Sequence, residues 1–432
     1  MPLVVQKFGG TSVKDIDHIN NVAKIISRTA QAGNSVVAVV SAMGHTTDNL
    51  IAMADAITSD ADSREMDMLL ASGEQVSIAL LAMALQELGV KAKSFTGAQA
   101  GVITQAVHCS AHIKEIRTQP LERALAAGYV AVVAGFQGVT ETGEICTLGR
   151  GGSDTTAVTL SAALGCDVCH IYTDVDGVYT ADPRTLPQAQ RLSTISFEEM
   201  LELSAAGAQV LNARSVEVAM NNKVSIRLRS TFKPDDLGTL ITHSKSPADS
   251  VVCGIACDTK VVAFNIKLSR RSRKSSARRK GAASEYLNGV SLMFQELNKL
   301  AINVDMVTLV GRDNESGPEL IFTVDKRSAR RVEHVIQQLD DELGHPQVST
   351  EEDIARISVV GSGLSCRRGV VAAIFDTLCS ASIPVQMLTT GDIRVTALIP
   401  AKYKNEAVQR IHHKFCIYPP VDSRVIPESR AA

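Results

Sequence analysis

The sequence predicts an α/β protein: a mostly parallel sheet covered by helices on both faces, followed by two smaller α+β modules. Three observations carry this. Runs that are apolar throughout at residues 36–40 and 130–134, and a similar strand at 168–173, alternate with helix-period patterns. Glycine-rich turns close several of these runs, including Gly9-Gly10 and Ser41-Ala42-Met43-Gly44. After about Ser246-Pro247 the pattern changes and repeats itself once, weakly.

The elements follow in order. A strand at 3–6 ends at Gly9-Gly10. A helical pattern places Val13, Ile16, Ile19, Val22, Ala23 and Ile26 at spacings of three and four, and Gly33-Asn34 stops it. Further helices are expected at 76–88 and 155–164. In a sheet of this kind ligands bind at the carboxyl ends of the strands. The repeat in the second half reads strand 261–266, helix 285–300, strands 302–310 and 320–324, helix 329–339. It then reads strand 357–360, helix 370–379, strands 383–388 and 393–399, helix 404–413. Both copies have the β-α-β-β-α core of a ferredoxin-like unit.

Composition excludes several classes. Of 432 residues, 45% are hydrophobic and 21% charged, as in ordinary globular domains. Lys plus Arg is 44 against 46 Asp plus Glu, a net charge of -2, which argues against nucleic acid as the main partner. Trp is absent and aromatics are 4%, which disfavours stacking on single strands. No apolar run approaches the roughly 20 residues of a membrane span. The first five residues lack a basic n-region and a long apolar stretch, so no signal peptide is expected. Nine cysteines, sparse and odd in number, fit reduced thiols and a cytoplasmic location.

Three motifs carry chemistry. In Lys7-Phe8-Gly9-Gly10-Thr11-Ser12, two glycines let backbone approach an anion, Thr11 or Ser12 can cap the next helix, and Lys7 can reach over the loop. A tight βα turn explains the same residues equally well. Gly149-Arg150-Gly151-Gly152-Ser153-Asp154 repeats the logic at another helix start and adds an Arg fork, which capping alone explains poorly. Two such loops on one sheet edge would hold two anions face to face. The run from Thr173 to Arg184 contains the turn Asp176-Gly177 and the stop Pro183, and suits either a nucleotide or a structural hairpin. His45 is read as an exposed loop residue. Cys166, Cys169 and His170 are read as core, because a structural zinc needs four ligands in a recognisable array.

With Ser72-Gly73-Glu74 and Gly135-Phe136-Gln137-Gly138, these motifs resemble, over the whole chain, the aspartate kinases of the amino-acid kinase superfamily. The resemblance implies a three-layer αβα kinase domain at 1–248 and two ACT modules at 249–345 and 346–432, with a strand at 251–256 able to pair with the second. It implies Mg2+-dependent transfer of the ATP γ-phosphoryl group to the β-carboxylate of L-aspartate, the entry to lysine, threonine and methionine, in a homodimer. By matching position, Lys7 stabilises the transferring group and Asp154 orients it. Glu74 pairs with the substrate amino group and Arg150 grips its α-carboxylate. Ser41, Thr47, Phe136 and Ser153 line the rest of the aspartate site. Gly9 and Gly10 approach the phosphates. Thr173, Asp174, Tyr179 and Arg184 resemble adenine- and ribose-side contacts. The metal would come with the nucleotide, without a dedicated protein ligand set. Readings weighed against this are a catalytically weak amino-acid sensor and a kinase of another amino-acid carboxylate.

The sequence departs from the family's pattern in three places. Gln209 stands where a lysine near the nucleotide is usual. Residues 267–280 carry eight basic and no acidic residues in place of a short Pro/Gly-rich loop, and read as a solvated insertion. Cys366-Arg367-Arg368-Gly369 replaces a Pro-Gly pair. Asn303 and Asp305 still resemble an effector-side segment, so an altered response to lysine or threonine is expected.

Overall fold

The computed structural model describes residues 2–208, 210–243, 252–268, 282–311, 318–364 and 367–415. Gln209, the basic run from residue 269 to 280, and Cys366 lie outside these residues. The chain divides into two compact units, Met1–Pro183 with Pro187–Cys253, and Arg184–Leu186 with Gly254–Ala432.

The first unit is built on an eight-stranded sheet. Its order is Thr194–Ser196, Thr239–Thr242, Ser225–Ser230, Val168–Thr173, Leu3–Phe8, Ser35–Val40, Val130–Ala134, Ala92–Phe95. All neighbours are parallel except Ser225–Ser230 with Thr239–Thr242. The uniformly apolar strands are explained by helices on both faces. Val36, Ala38, Val40, Val130, Val132 and Ala134 pack in one cluster with the inner faces of the Ile16–Gln31 and Ser63–Glu87 helices. Their neighbours Val37, Val39, Ala131 and Val133 point the other way and are equally buried.

The first helix differs from expectation at its start. Neither Thr11 nor Ser12 caps it. Residues Gly10–Val13 form a single 3-10 turn, and the helix opens at Ile16, where the Asp15 carboxylate accepts the His18 amide at 2.9 Å. Ser12 instead turns inward and bonds the Thr231 hydroxyl at 2.6 Å.

The Ser63–Glu87 helix has the length and hydropathy of a membrane span. It nevertheless lies against the sheet and buries two carboxylates, Asp67 and Glu74. A second, four-stranded sheet joins Ile113–Ile116, Val102–Thr104, Gln137–Val139 and Ile145–Thr147. Strands of three or four residues leave no readable period, so they escape a reading of the sequence. Cys166 and Cys169 are buried in the core, where desolvation pushes the Cys169 thiol up to about 12.

The second unit holds two sheets of four. One has the order Val304–Val310, Glu319–Asp325, Val261–Lys267, Gln347–Glu351. The other has the order Gly254–Asp258, Ile354–Val360, Arg394–Pro400, Met387–Thr390. The second sheet is thus completed by a strand that precedes the first sheet in the chain. Val261, Ala263, Met306, Ile354 and Leu398 form the apolar seam between the two sheets.

Candidate active site

The central strand Leu3–Phe8 ends between two neighbours reached by opposite crossovers, Ser35–Val40 on one side and Val168–Thr173 on the other. A crevice forms at such a point, outside the carboxyl ends of the strands. Lys7, next to last on this strand, is 8% exposed, and its Nζ lies 2.5 Å from Asp154 Oδ1. Asp154 sits in the first turn of the Gly152–Ala163 helix. Lys7 and the anion-favouring end of that helix therefore face the same place.

The Gly9-Gly10 loop contributes room more than donors. The Gly9 amide donates to the Tyr172 carbonyl at 3.3 Å. A Cβ on Gly9 would stand 3.4 Å from Lys7 Nζ, and one on Gly10 would stand 2.9 Å from the Ala42 carbonyl oxygen. That contact brings in the Ser41–Gly44 turn. The Ser41 amide donates to the Phe8 carbonyl at 3.1 Å, and the Gly44 amide to Gly10 at 3.0 Å. Ser41 and Thr47 are half-buried here. His45 is exposed.

Glu74 arrives from the Ser63–Glu87 helix and is 2% exposed. Its Oε1 accepts the Ala42 amide at 3.0 Å. Its Oε2 is buried with no hydrogen-bond partner among the described residues. Desolvation raises this carboxyl to about 7, against the pull of the Ala42 amide. A buried carboxylate oxygen without a donor is costly unless something cationic or protic completes it.

The Arg150 loop closes the opposite side. Gly149 and Gly151 both have positive φ, 73° and 74°, so the loop doubles back before the helix starts. Arg150 between them is exposed. Ser153 is buried, and a Cβ on Gly135 would stand 2.7 Å from the Ser153 Cβ. Next to it Phe136 holds a left-handed φ of 68°, strain of the kind that clusters at functional sites. Its amide donates to the Thr156 hydroxyl at 3.2 Å.

On the Val168–Thr173 side, Thr173 donates to the Asp174 carboxylate at 3.0 Å. The Tyr179 hydroxyl donates to Asp176 at 2.7 Å. Burial and this bond push it up to about 12. Lys233 also reaches Asp176, at 2.9 Å. Arg184 is exposed and falls in the other compact unit. In that unit Asn303 is exposed, and Asp305 is ion-paired with Arg356 and, at 3.3 Å, with Arg394.

Several supporting residues were not read from the sequence. Arg214 donates to the carbonyls of Leu148 (2.9 Å) and Ala111 (2.7 Å), bracing the Arg150 loop from outside. Asn212 packs under Gly151. Asp67, seven residues before Glu74, is fully buried. A carboxylate inside Met66-Asp67-Met68-Leu69-Leu70, on the same helix face as Glu74, was the available signal for it.

Residues 2–230 match the amino acid kinase family, and residues 357–415 match an ACT domain. Over 416 residues the chain is 42% identical to an aspartokinase of Geobacillus stearothermophilus, covering 96% of this chain and 97% of that one. It is 41% identical over 423 residues to an aspartokinase of Corynebacterium glutamicum, covering 96% of each. The aspartate kinase structure from Synechocystis matches at 37% identity with a TM-score of 0.52, over 96% of this chain and 70% of that one. E. coli aspartokinase III, crystallised with aspartate and ADP, shares the fold at a TM-score of 0.77 and 24% identity, over 95% and 99% of the two chains. The chain belongs to the aspartokinase family and is an ATP-dependent kinase whose acceptor is a carboxylate.

Proposed function

We propose that the crevice above Leu3–Phe8 phosphorylates the β-carboxylate of L-aspartate, giving 4-phospho-L-aspartate. The observation that carries this is the buried Lys7–Asp154 pair at the start of the Gly152–Ala163 helix. The acceptor carboxylate has an ordinary pKa near 4 and is already an anion at neutral pH. Catalysis therefore needs no general base. It needs two anions brought together and their spreading charge neutralised.

Lys7 supplies that charge, and Asp154 holds its ammonium in place. Glu74 Oε2 takes the ammonium of aspartate, which completes the one carboxylate oxygen that the Ala42 amide does not serve. Arg150 forks onto the α-carboxylate. Ser41, Thr47, Phe136 and Ser153 shape the remaining wall. Gly9 and Gly10 leave room for the phosphates, while Thr173, Asp174, Tyr179, Arg184 and Gln209 serve the nucleotide.

Mg2+ accompanies ATP in this reading. Asp154, the carboxylate beside Lys7, would be the protein group nearest to it, and the phosphates would bring the metal with the nucleotide. When bound it neutralises charge on the phosphates. A homodimer and an altered response to lysine or threonine at the ACT modules complete the proposal. The test is acyl phosphate formation: protein, ATP, Mg2+ and L-aspartate, with product trapped by hydroxylamine. Robust aspartyl hydroxamate that disappears in Lys7→Met supports it. Hydroxamate with glutamate and none with aspartate overturns the choice of acceptor.

A further inference from the structure

Asp67 is 0% exposed and is bonded by two separate segments, residues 108–109 and the strand Ile145–Thr147. Its Oδ1 accepts the Thr147 hydroxyl at 2.5 Å and the Cys109 amide at 3.1 Å. Its Oδ2 meets His108 Nδ1 at 2.6 Å and the same amide at 3.2 Å. Both oxygens are thus engaged, by side chains and backbone from outside the helix that carries Asp67.

Those partners lead to the acceptor side of the crevice. Thr147 ends the strand Ile145–Thr147, three residues before Arg150. Its carbonyl accepts the Ala111 amide at 2.9 Å, so the strand is held from both sides. Cys109 has a left-handed φ of 61°, and a Cβ on Gly149 would stand 3.2 Å from its carbonyl. The 108–109 segment therefore lies against the turn that presents Arg150. In the other direction, Asp67 and Glu74 are seven residues apart on one face of one helix. The ligand atoms of Asp67, His108 and Cys146 lie within 4.8 Å of one another, a set that would also suit a soft cation. Since both Asp67 oxygens already carry hydrogen bonds, the arrangement is that of a clamp.

We infer that Asp67 is a positioning residue for the acceptor: it fixes the separation of Glu74 and Arg150 through Thr147 and the Cys109 amide. This rests on the reading of Glu74 and Arg150 as the two grips on aspartate. A displacement of about 1 Å in such a pair costs up to about a hundredfold.

The experiment measures kcat and KM for aspartate and for ATP in the full chain, for Asp67→Asn, Thr147→Val, Thr147→Ser and Glu74→Gln. The expected result is a rise of about tenfold or more in KM for aspartate in Asp67→Asn and Thr147→Val. KM for ATP should stay within about twofold, and Thr147→Ser, which keeps the hydroxyl, should behave as the parent. A purely structural role would lower melting temperature and active fraction while leaving both KM values in place, and that result overturns the inference. If Asp67→Asn does not fold, Thr147→Val decides alone. Glu74→Gln separates the two levels. A raised KM in Glu74→Gln with an unchanged one in Thr147→Val sinks the clamp only. An unchanged KM in Glu74→Gln sinks the underlying reading of the site.

Discussion

Lys7 Nζ lies 2.5 Å from Asp154 Oδ1, with only 10% and 12% of the two side chains exposed. A pair buried this deeply is strongly coupled: removing one partner strands the other charge, at a cost of about 3–5 kcal/mol. Lys7→Met and Asp154→Asn should therefore each lower stability by that order. The double variant should recover most of it, because no lone charge remains. Activity should behave differently. Each single change, and the double, should lower kcat by roughly a thousandfold, as expected when charge stabilisation of a transition state is lost. Urea denaturation and hydroxamate assays on the three variants check both halves. A double variant no more stable than the singles would show that the two groups are independent.

Glu74 connects function to pH. Burial raises its carboxyl to about 7 from an ordinary 4.5, so the folded state favours the protonated acid. That preference is fully present below pH 4.5 and is lost as pH rises through 7. Glu74→Gln keeps a neutral group at all pH values, and should stabilise the ligand-free protein at pH 8 by roughly 3 kcal/mol or less. The substrate ammonium needs the ionised form. KM for aspartate should thus rise about tenfold per unit as pH falls below 7, while Glu74→Gln shows a high and flat KM. A parent enzyme with a flat profile between pH 5.5 and 8 would contradict the assignment.

Gly151 has a φ of 74°, and a Cβ there would stand 2.3 Å from the Asn212 Cβ. The Asn212 side chain also caps the Ala213–Asn221 helix, accepting the Arg214 amide at 2.9 Å. Gly151→Ala should therefore cost about 1–2 kcal/mol for the backbone and about 1 more as Asn212 gives way. Because Arg150 precedes it, KM for aspartate should rise alongside the fall in melting temperature. An alanine variant with the parent's melting temperature would mean the loop relaxes freely.

Much of this was legible because it repeats. Runs apolar at every position, such as residues 36–40, can only be buried on both faces, and the sheet followed from that. The site motifs were legible because Gly149 and Gly151 leave Arg150 little purpose as a mere cap. What escaped was set by tertiary contact. Ser12 carries the chemistry of a cap, but its pairing with Thr231 far along the chain decided its role. The strand Gln347–Glu351 is exposed at all five positions, so it shows no alternation to read; its pairing with Val261–Lys267 makes it a strand. Arg214 reaches the Leu148 carbonyl across 66 residues, which no local pattern records.

Gln209 places a neutral amide where the family pattern has a lysine near the nucleotide. One positive charge fewer against a triphosphate weakens binding. Gln209→Lys should tighten ATP by about fivefold or less, the worth of one added charge–charge contact in water, with KM for aspartate unchanged. Equal ATP affinities in the two proteins would remove Gln209 from the nucleotide site.

Asp305 bears on regulation. A β-bulge between Asp305 and Thr308, with Met306 at a φ of 51°, turns its carboxylate toward the second sheet. There it pairs with Arg356, and with Arg394 at 3.3 Å. Arg356 reaches Asp258 as well, at 3.1 Å, and only 7% of its side chain is exposed. An amino-acid effector that placed its ammonium on Asp305 would have to displace these guanidinium groups and leave Arg356 partly uncompensated. That penalty is of the order of several kcal/mol, comparable to the whole affinity of a millimolar ligand. Millimolar lysine plus threonine should therefore leave most of the activity in place. Asp305→Ala should destabilise the second unit by about 1–3 kcal/mol, because it removes one charged partner of the buried Arg356 while Asp258 stays in place, and should not change the effector response. Strong inhibition by lysine plus threonine that vanishes in Asp305→Asn would show the opposite, that the carboxylate exchanges its arginines for the effector.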